Sequence, residues 1–174
     1  LIIRLMEDPS LKESDDWWKL KRMVNSFNAK FKELFATSSV MVFEESMSAF
    51  MPRTTKTGGL PNISYIMRKP EPLGAEFKCI VDGLLGNMIW LKICESKDRM
   101  RTKYFVRDLG SKTACTLQGV TYVRELDFLS VSDDVEQNSK VEVETNPSDT
   151  KKRMWLGDSW FGSVRTAANI RMAG

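Results

Sequence analysis

The 174-residue sequence predicts a mixed α/β domain, because helix-type and strand-type hydrophobic periods both occur in it. Apolar residues recur at steps of three and four from Trp17 to Leu34, the spacing of an amphipathic helix. Runs rich in β-branched and large apolar residues follow at 40–44, 77–81 and 88–94. With 42% apolar and 28% charged residues, the composition is that of a soluble globular chain, and the length predicts one domain or part of a larger one.

Histidine is absent, which limits the chemistry that the sequence can carry. Without it the chain lacks the commonest general base, the serine and cysteine triads and most zinc ligation. The three cysteines, Cys79, Cys94 and Cys115, have no C-x-x-C spacing and predict neither a disulfide framework nor a zinc site. Any catalysis must therefore depend on carboxylates.

The bulk properties predict an intracellular protein and leave its partners open. No apolar run approaches the ~20 residues of a membrane span, and the opening residues 1–6 lack the pattern of a cleaved signal. The net charge of +3 is too small to indicate a nucleic-acid partner by itself. Because the chain begins without Met and stops within a periodic pattern, we expect it to be a fragment.

The first half of the chain is predicted to form a helix, a strand and a loop. Ser14, Asp15 and Asp16 precede the helix and supply an N-cap and favourable negative charge. On the strand at 40–44, alternation places Glu44 and Glu45 on opposite faces. The many Gly and Pro residues between 52 and 74 predict a long surface loop.

The second half begins with two antiparallel strands, near 77–81 and 88–94, with Asp82 as a turn residue. Residues 99–119 have weak helical periodicity, and the acidic, polar character of 120–152 predicts a flexible insertion. The chain closes with a short apolar run that ends at Asp158. A helix follows, in which Phe161, Val164, Ala168 and Met172 keep helical spacing.

Two carboxylates, Glu44 and Asp158, thus follow predicted strands that are far apart in the sequence. Carboxylates at strand ends, in a chain without histidine, fit the clamping of two Mg²⁺ ions roughly 3.5–4 Å apart for phosphoryl transfer. Strand-terminal Asp and Glu are common, so the spacing alone favours a structural or solvated role for these carboxylates. Both interpretations remain open at this point.

Three segments in order resemble one known family. "FEESMSAFMPR", "LPNISYIMRKPEPLGAEFK" and "LGDSWFGSV" are similar to motifs of the piggyBac-like transposases and their domesticated derivatives. Family members carry D-E-S/x-M-x-x-F-x-x-R, a basic K-P-x-x-x-G segment, and D-x-x-F-x-S-V/I at the start of a helix. The resemblance covers roughly residues 15–119 and 153–172, including the helical segment that precedes the first motif.

The resemblance implies a ribonuclease-H-like mixed sheet, the catalytic core of DDE/DDD transposases, incomplete at the C-terminus. It implies four parts: a helical lead-in at 1–38, the first part of the core at 39–119, the acidic insertion at 120–152, and a strand and helix carrying the second motif at 153–174. The implied activity is DNA cleavage and strand transfer with Mg²⁺ or Mn²⁺. The implied partner is DNA, at transposon ends or target sites in the nucleus, with a homodimer in the full-length family and no membrane.

The same resemblance assigns catalytic and metal-binding roles. The family's first aspartate falls on Glu44 and the second on Asp158, and the third has no counterpart before Gly174. Glu45, Ser46 and Met47 match the residues after the first aspartate and are expected to pack and shape that strand. Glutamate at position 44 extends the side chain by one carbon, about 1.5 Å. Together with the missing third carboxylate and the insertion, this favours a truncated or decayed copy that is inactive as this chain. The alternative is a domesticated, non-catalytic domain that binds DNA or a protein.

The basic loop supplies candidate DNA contacts. Cations that neutralise phosphates and glycines that allow close backbone approach are typical of DNA-binding loops. Tyr65 is a candidate for stacking on an unpaired base. A solvated loop is the alternative interpretation. The candidate DNA-binding residues are Arg53, Lys56, Arg68, Lys69 and Lys78, with Gly58 and Gly59 beside them.

Overall fold

The computed structural model describes residues 17–51, 53, 60–102, 104–137 and 152–172, with the backbone alone for 19, 32, 104, 105 and 127–137. Both helices and strands form along these residues, as the sequence predicts. The elements in chain order are α1 (Trp18–Leu34), β1 (Val40–Ala49), β2 (Ser64–Tyr65), β3 (Leu73–Asp82), β4 (Met88–Ile93), α2 (Lys97–Thr102), α3 (Tyr104–Leu109), α4 (Ser111–Gln137), β5 (Met154–Gly157) and α5 (Val164–Met172).

The sheet combines an antiparallel meander with one parallel pair. β3 lies between β1 and β4 and is antiparallel to both, while β2 adds a short antiparallel pair at the beginning of β3. β5 pairs in parallel with the other edge of β1, from Val40–Met154 to Phe43–Gly157. Parallel pairing requires a long crossover. The connection from β4 to β5 meets this requirement with the helices α2, α3 and α4.

Two helices pack against the sheet. α1 contacts β4, where Val24 packs against Ile93 and the Asn28 side chain exchanges two hydrogen bonds of 2.9 Å with the backbone of Leu91. α4 joins the larger core cluster of Met41, Phe43, Ile80, Ile89, Trp90, Cys115, Val120, Val123 and Phe161.

Gly119 allows α4 to approach the sheet closely. A Cβ at this position would stand 2.5 Å from Cδ1 of Ile80 and 3.1 Å from the ring of Phe43. The absence of a side chain therefore fixes the distance between the helix and the strands that carry the site described below.

The predicted first helix and the antiparallel strands are confirmed, but β1 is longer than predicted. It does not end at Glu44, because residues 45–49 pair with 74–78 of β3. β2 and the beginning of β3 lie within 60–74, which was predicted to be loop throughout. The residue before α1 is Trp17, whose side chain makes no capping hydrogen bond. The predicted N-cap residues Ser14 to Asp16 lie outside the described residues.

The predicted flexible insertion at 120–152 is wrong for its first part. Residues 120–137 continue α4, and Val120, Val123 and Leu126 are buried. Their spacing of three extends the apolar face of the helix into a stretch whose overall acidity suggested an insertion. Residues 138–151 lie outside the described part of the chain.

The last helix forms as predicted but buries a different face. Val164 and Met172 are exposed, as is Ala168, whereas Thr166 is buried. The hydroxyl of Thr166 lies 3.0 Å from that of Thr113 on α4 and 2.8 Å from that of Ser163. Hydrogen bonds between hydroxyl groups therefore connect α5 to α4, and the spacing of apolar residues could not predict this contact. No helix in the described part of the chain has the length and hydropathy needed to cross a membrane.

Candidate active site

The parallel pair brings the two predicted carboxylates to the same level of the sheet. Glu44 follows Phe43, the last residue of β1 that pairs with β5, and Asp158 follows Gly157, the last residue of β5. The predicted adjacency of the two strands is therefore found, despite their separation in sequence. Glu44 is exposed, and the Asp158 side chain is 38% exposed.

Glu45 is the buried member of the glutamate pair. It lies on the face that carries Met41 and Phe43, so the predicted alternation of Glu44 and Glu45 is confirmed. Its Oε2 accepts a hydrogen bond of 2.7 Å from Nζ of Lys78, and its Oε1 contacts the guanidinium of Arg68. A desolvated carboxylate is tolerated only when it is paired in this way. The expected packing role of Glu45 thus takes the form of a buried ion pair.

Arg68 connects Glu45 to Asp158. Its Nη2 contacts Glu45, while its Nη1 lies 3.7 Å from Oδ2 of Asp158. The neighbouring Lys69 donates a 3.1 Å hydrogen bond from Nζ to the backbone oxygen of Glu45. Two of the predicted DNA-binding cations therefore lie directly against the candidate carboxylate site.

Lys78 is enclosed, in contrast to the predicted phosphate contact. The residue is 2% exposed, and its Nζ lies 2.6 Å from Oε1 of Glu76 as well as 2.7 Å from Glu45. The same atom stands 3.7 Å from the centroid of the Trp160 ring. The ammonium group of Lys78 is surrounded by these groups and has no N–H donor at the surface. Its side chain points into the interior of the protein, which the sequence alone does not reveal.

Asp158 begins a tight turn. Its Oδ1 accepts a 2.8 Å hydrogen bond from the backbone N–H of Trp160, and its carbonyl oxygen accepts bonds of 3.1 Å from the N–H groups of Phe161 and Gly162. The Phe161 ring stacks on Phe43 of β1 at 5.4 Å. The turn is therefore fixed to the sheet by an aromatic contact on one side of the carboxylate.

Cys79 lies beside the site but is not a nucleophile. Burial, and secondarily the negative charge of Glu44, raises the pKa of Cys79 to about 11, although Lys69 and Lys78 act in the opposite direction. The thiol donates to the backbone oxygen of Glu44 at 3.5 Å. Since the thiolate is the reactive form, this cysteine is inert at neutral pH.

The remaining predicted DNA contacts are distributed over the surface and the undescribed loop. Arg53 is exposed, and Tyr65 on β2 is 66% exposed. Lys56, Gly58 and Gly59 lie outside the described residues. Exposed Arg53, Arg68 and Tyr65 keep the chemistry expected of a nucleic-acid surface, namely cations with an aromatic side chain.

The carboxylates do not by themselves fit a two-metal centre. Within the described ranges, no group of three or more His, Cys, Asp or Glu side chains could hold a metal ion. One oxygen of Asp158 is engaged by the Trp160 N–H and the other faces a guanidinium. Mg²⁺ needs near-octahedral oxygen ligation, and a second cation at this distance opposes it.

Comparison with solved structures identifies the fold of the chain. The chain matches the cryo-EM structure of a piggyBac transposase synaptic complex with hairpin DNA, with a TM-score of 0.62 and 17% sequence identity. The match covers 94% of this chain and 28% of the transposase chain, so this chain spans just over a quarter of that protein's length. The fold is the ribonuclease-H-like mixed α/β class, as predicted.

Comparison of the sequence with protein-family models identifies the family. A family model described as Transposase IS4 matches residues 2–120, and the chain belongs to this transposase family. Together with the match to the piggyBac transposase structure, this confirms the predicted resemblance to piggyBac-like transposases. No curated protein matches the chain significantly.

Sequence reasoning missed the contact between Glu45, Lys78 and Trp160. One signal was available, since Lys78 interrupts the apolar run "FKCIV" and a charge inside a central strand requires a buried partner. The identity of that partner depends on the register that sets Glu45 opposite Lys78. That register follows from the full length of β1, which was predicted to end at Glu44 but extends five residues further, to Ala49.

Proposed function

We propose that this chain is a transposase-derived domain that binds DNA and, as this chain, does not cut it. The family reaction would be metal-dependent cleavage and strand transfer, with Glu44 and Asp158 as two of the Mg²⁺ or Mn²⁺ ligands. The observation that supports this best is the parallel register, which ends at Phe43 and Gly157 and so aligns the two carboxylates on neighbouring strands. From the family resemblance we further propose nuclear DNA as the partner and pairing of two copies in the full-length protein.

The proposed DNA surface begins at Arg68. This side chain is 60% exposed although it contacts two carboxylates, so the rest of its guanidinium is available to a phosphate. Arg53 is exposed nearby in sequence, and Lys69 is only partly buried. Together with Lys56, these cations would supply sequence-independent phosphate contacts, which position a duplex without reading its bases.

A second candidate is a domesticated, non-catalytic domain in which the old active site serves binding or structure alone. The proximity of Arg68 to Asp158 favours it, because the guanidinium places a positive charge 3.7 Å from the carboxylate that a metal ion would need. The lengthened side chain at Glu44 favours it as well. Both candidates predict that this chain does not cleave DNA, and metal-dependent nicking by it would contradict both.

Salt dependence of DNA binding tests the proposed surface. We expect replacement of Arg53, Lys56, Arg68 and Lys69 by Gln to flatten the dependence of log K on log salt by roughly 3–4, at ~0.9 per phosphate contact. Because Arg68 partners the buried Glu45, the variant also carries Glu45→Gln, which avoids leaving that carboxylate unpaired. Fluorescence anisotropy with a labelled duplex at several salt concentrations measures the slope.

The matched control removes three exposed charges from helices, with Lys97→Gln, Arg107→Gln and Arg171→Gln. These residues lie on α2, α3 and α5, and we expect the slope to change by less than about 1, the value of one phosphate contact. Equal flattening by both sets would mean that the loop is not the contact surface. Absence of duplex binding by the unmodified chain at low salt would overturn the proposed function itself.

A further inference from the structure

Lys78 contacts three groups at once in the interior. Its side chain is 3% exposed, and its Nζ lies 2.7 Å from Oε2 of Glu45, 2.6 Å from Oε1 of Glu76 and 3.7 Å from the centre of the Trp160 ring. A lysine ammonium has three donors. Two are taken by the glutamates, which leaves the third for the negative face of the indole.

Trp160 connects this lysine to the candidate carboxylate. Its backbone N–H donates the 2.8 Å hydrogen bond to Oδ1 of Asp158. Its ring meets Phe161 edge-on, with centroids 4.8 Å apart and an angle of 71°. Phe161 in turn stacks on Phe43 of β1. The turn that carries Asp158 is therefore held on one side by β1 and on the other by Lys78.

We propose that Lys78 is a positioning residue, which fixes the Asp158 carboxylate by holding the ring of Trp160. The inference rests on the proposed function in one respect, that Asp158 belongs to the reaction centre. A cation over an aromatic face is held most strongly when both are desolvated, and this lysine is almost fully buried. The surface cation Arg68 reaches the same carboxylate, but it does so from solvent and at 3.7 Å.

The competing explanation is that Lys78 only neutralises Glu45 and Glu76. The two roles differ in their dependence on the ring. Neutralisation needs the positive charge alone, whereas positioning also needs the indole and acts on the amide of residue 160. The backbone amide at position 160 is therefore the informative probe.

The experiment measures the proton chemical shift and the hydrogen-exchange rate of the position-160 amide by NMR on the full chain. In Lys78→Met we expect exchange about tenfold faster, a change of the size that a desolvated cation–π contact supports. The proton chemical shift of this amide should move toward its value in Asp158→Ala, which lacks the carboxylate that accepts the hydrogen bond. Lys78→Arg should restore both values, because a guanidinium also binds an aromatic face. Lys97→Met, at an exposed lysine of α2, is the control and should change neither.

A second variant covers the case in which Lys78→Met does not fold. Trp160→Leu removes the ring but retains both ion pairs of Lys78, and we expect the same faster exchange at position 160. An unchanged amide in Trp160→Leu, or in a folded Lys78→Met, would overturn the proposal and leave neutralisation as the role. Neither measurement uses DNA. Failure of duplex binding would therefore count against the proposed function, without altering this result.

Discussion

Asp82 shows how one buried carboxylate organises the end of the sheet opposite the candidate site. It is 1% exposed and accepts hydrogen bonds of 2.6 Å from both the N–H and the hydroxyl of Ser38, and of 3.0 Å from the N–H groups of Leu84 and Leu85. Burial acts to raise the pKa of Asp82, but these hydrogen bonds outweigh it and hold the pKa below its ordinary value. The predicted turn residue thus also joins β3 to the beginning of β1.

This carboxylate should make stability depend on pH. Because its pKa is lowered in the folded state, its stabilisation is present above the ordinary Asp pKa of ~3.9 and is lost as pH falls through the lower folded value. We expect Asp82→Asn to cost about 1.5–3 kcal/mol at pH 7, the range for hydrogen bonds to a charged group. The difference from the unmodified chain should shrink in acid. Urea unfolding at a series of pH values measures it.

The exposed Asp98 supplies the comparison for Asp82. Its side chain is 96% exposed on α2, so Asp98→Asn should change the unfolding free energy by less than about 0.5 kcal/mol. A constant difference between Asp82→Asn and the unmodified chain across the acid range would contradict the proposed linkage.

The sequence predicted which residues belong to the candidate site better than it predicted which residues they contact. Glu44 and Asp158 were identified from motifs and lie on adjacent strands, as expected. The sequence could not distinguish an exposed role for Arg68 from a buried role for Lys78, because both are basic residues that lie close together in the chain. Only the register and the direction of each side chain place Lys78 in the interior and Arg68 at the surface.

At the scale of the elements, Gly74 lets β3 lie close against the backbone of β1. A Cβ there would collide with the backbone carbonyl of Ser48 on β1. The carbonyl belongs to a paired strand and cannot move without disturbing the ladder that extends from Ala49–Gly74 inward.

We therefore expect Gly74→Ala to lower the unfolding free energy by about 2–3 kcal/mol, toward the upper end of overpacking penalties. Gly162→Ala is the matched control. A Cβ at Gly162 would have its nearest contact at 3.5 Å, to the carbonyl oxygen of Asp158, so the change should stay within about 0.5 kcal/mol. Chemical denaturation of both variants measures the difference, and equal stabilities would show that β1 and β3 separate here at little cost.

Element types were predictable where the apolar period was long, as in α1 and in the antiparallel strands. The sequence was misleading for α4, because acidic residues after position 126 obscured the buried Val120, Val123 and Leu126. It was also misleading for α5, whose buried contact is made by Thr166. In both cases tertiary packing, rather than the average polarity of a segment, determined the structure.

At the scale of the whole molecule, the surroundings of the carboxylates oppose metal-dependent cleavage. We expect the chain to neither nick nor join supercoiled or linear DNA with Mg²⁺ or Mn²⁺, because two-metal chemistry needs enough ligands to fix both ions. Glu44→Asp should not be sufficient to give activity, since Arg68 would still contact Asp158. Gel assays with the same preparation used for duplex binding measure this. Metal-dependent nicking that is abolished by Asp158→Ala would establish an active centre and contradict this prediction.

During synthesis, β1 leaves the ribosome well before β5, because α2, α3 and α4 lie between them in the sequence. Until Met154–Gly157 emerge, the N–H and C=O groups on that edge of Val40 to Phe43 have no strand partner from β5. An apolar strand with an open edge readily pairs with other chains, and contacts between distant segments form slowly. We therefore expect the nascent chain to pass through an aggregation-prone interval before β5 is available.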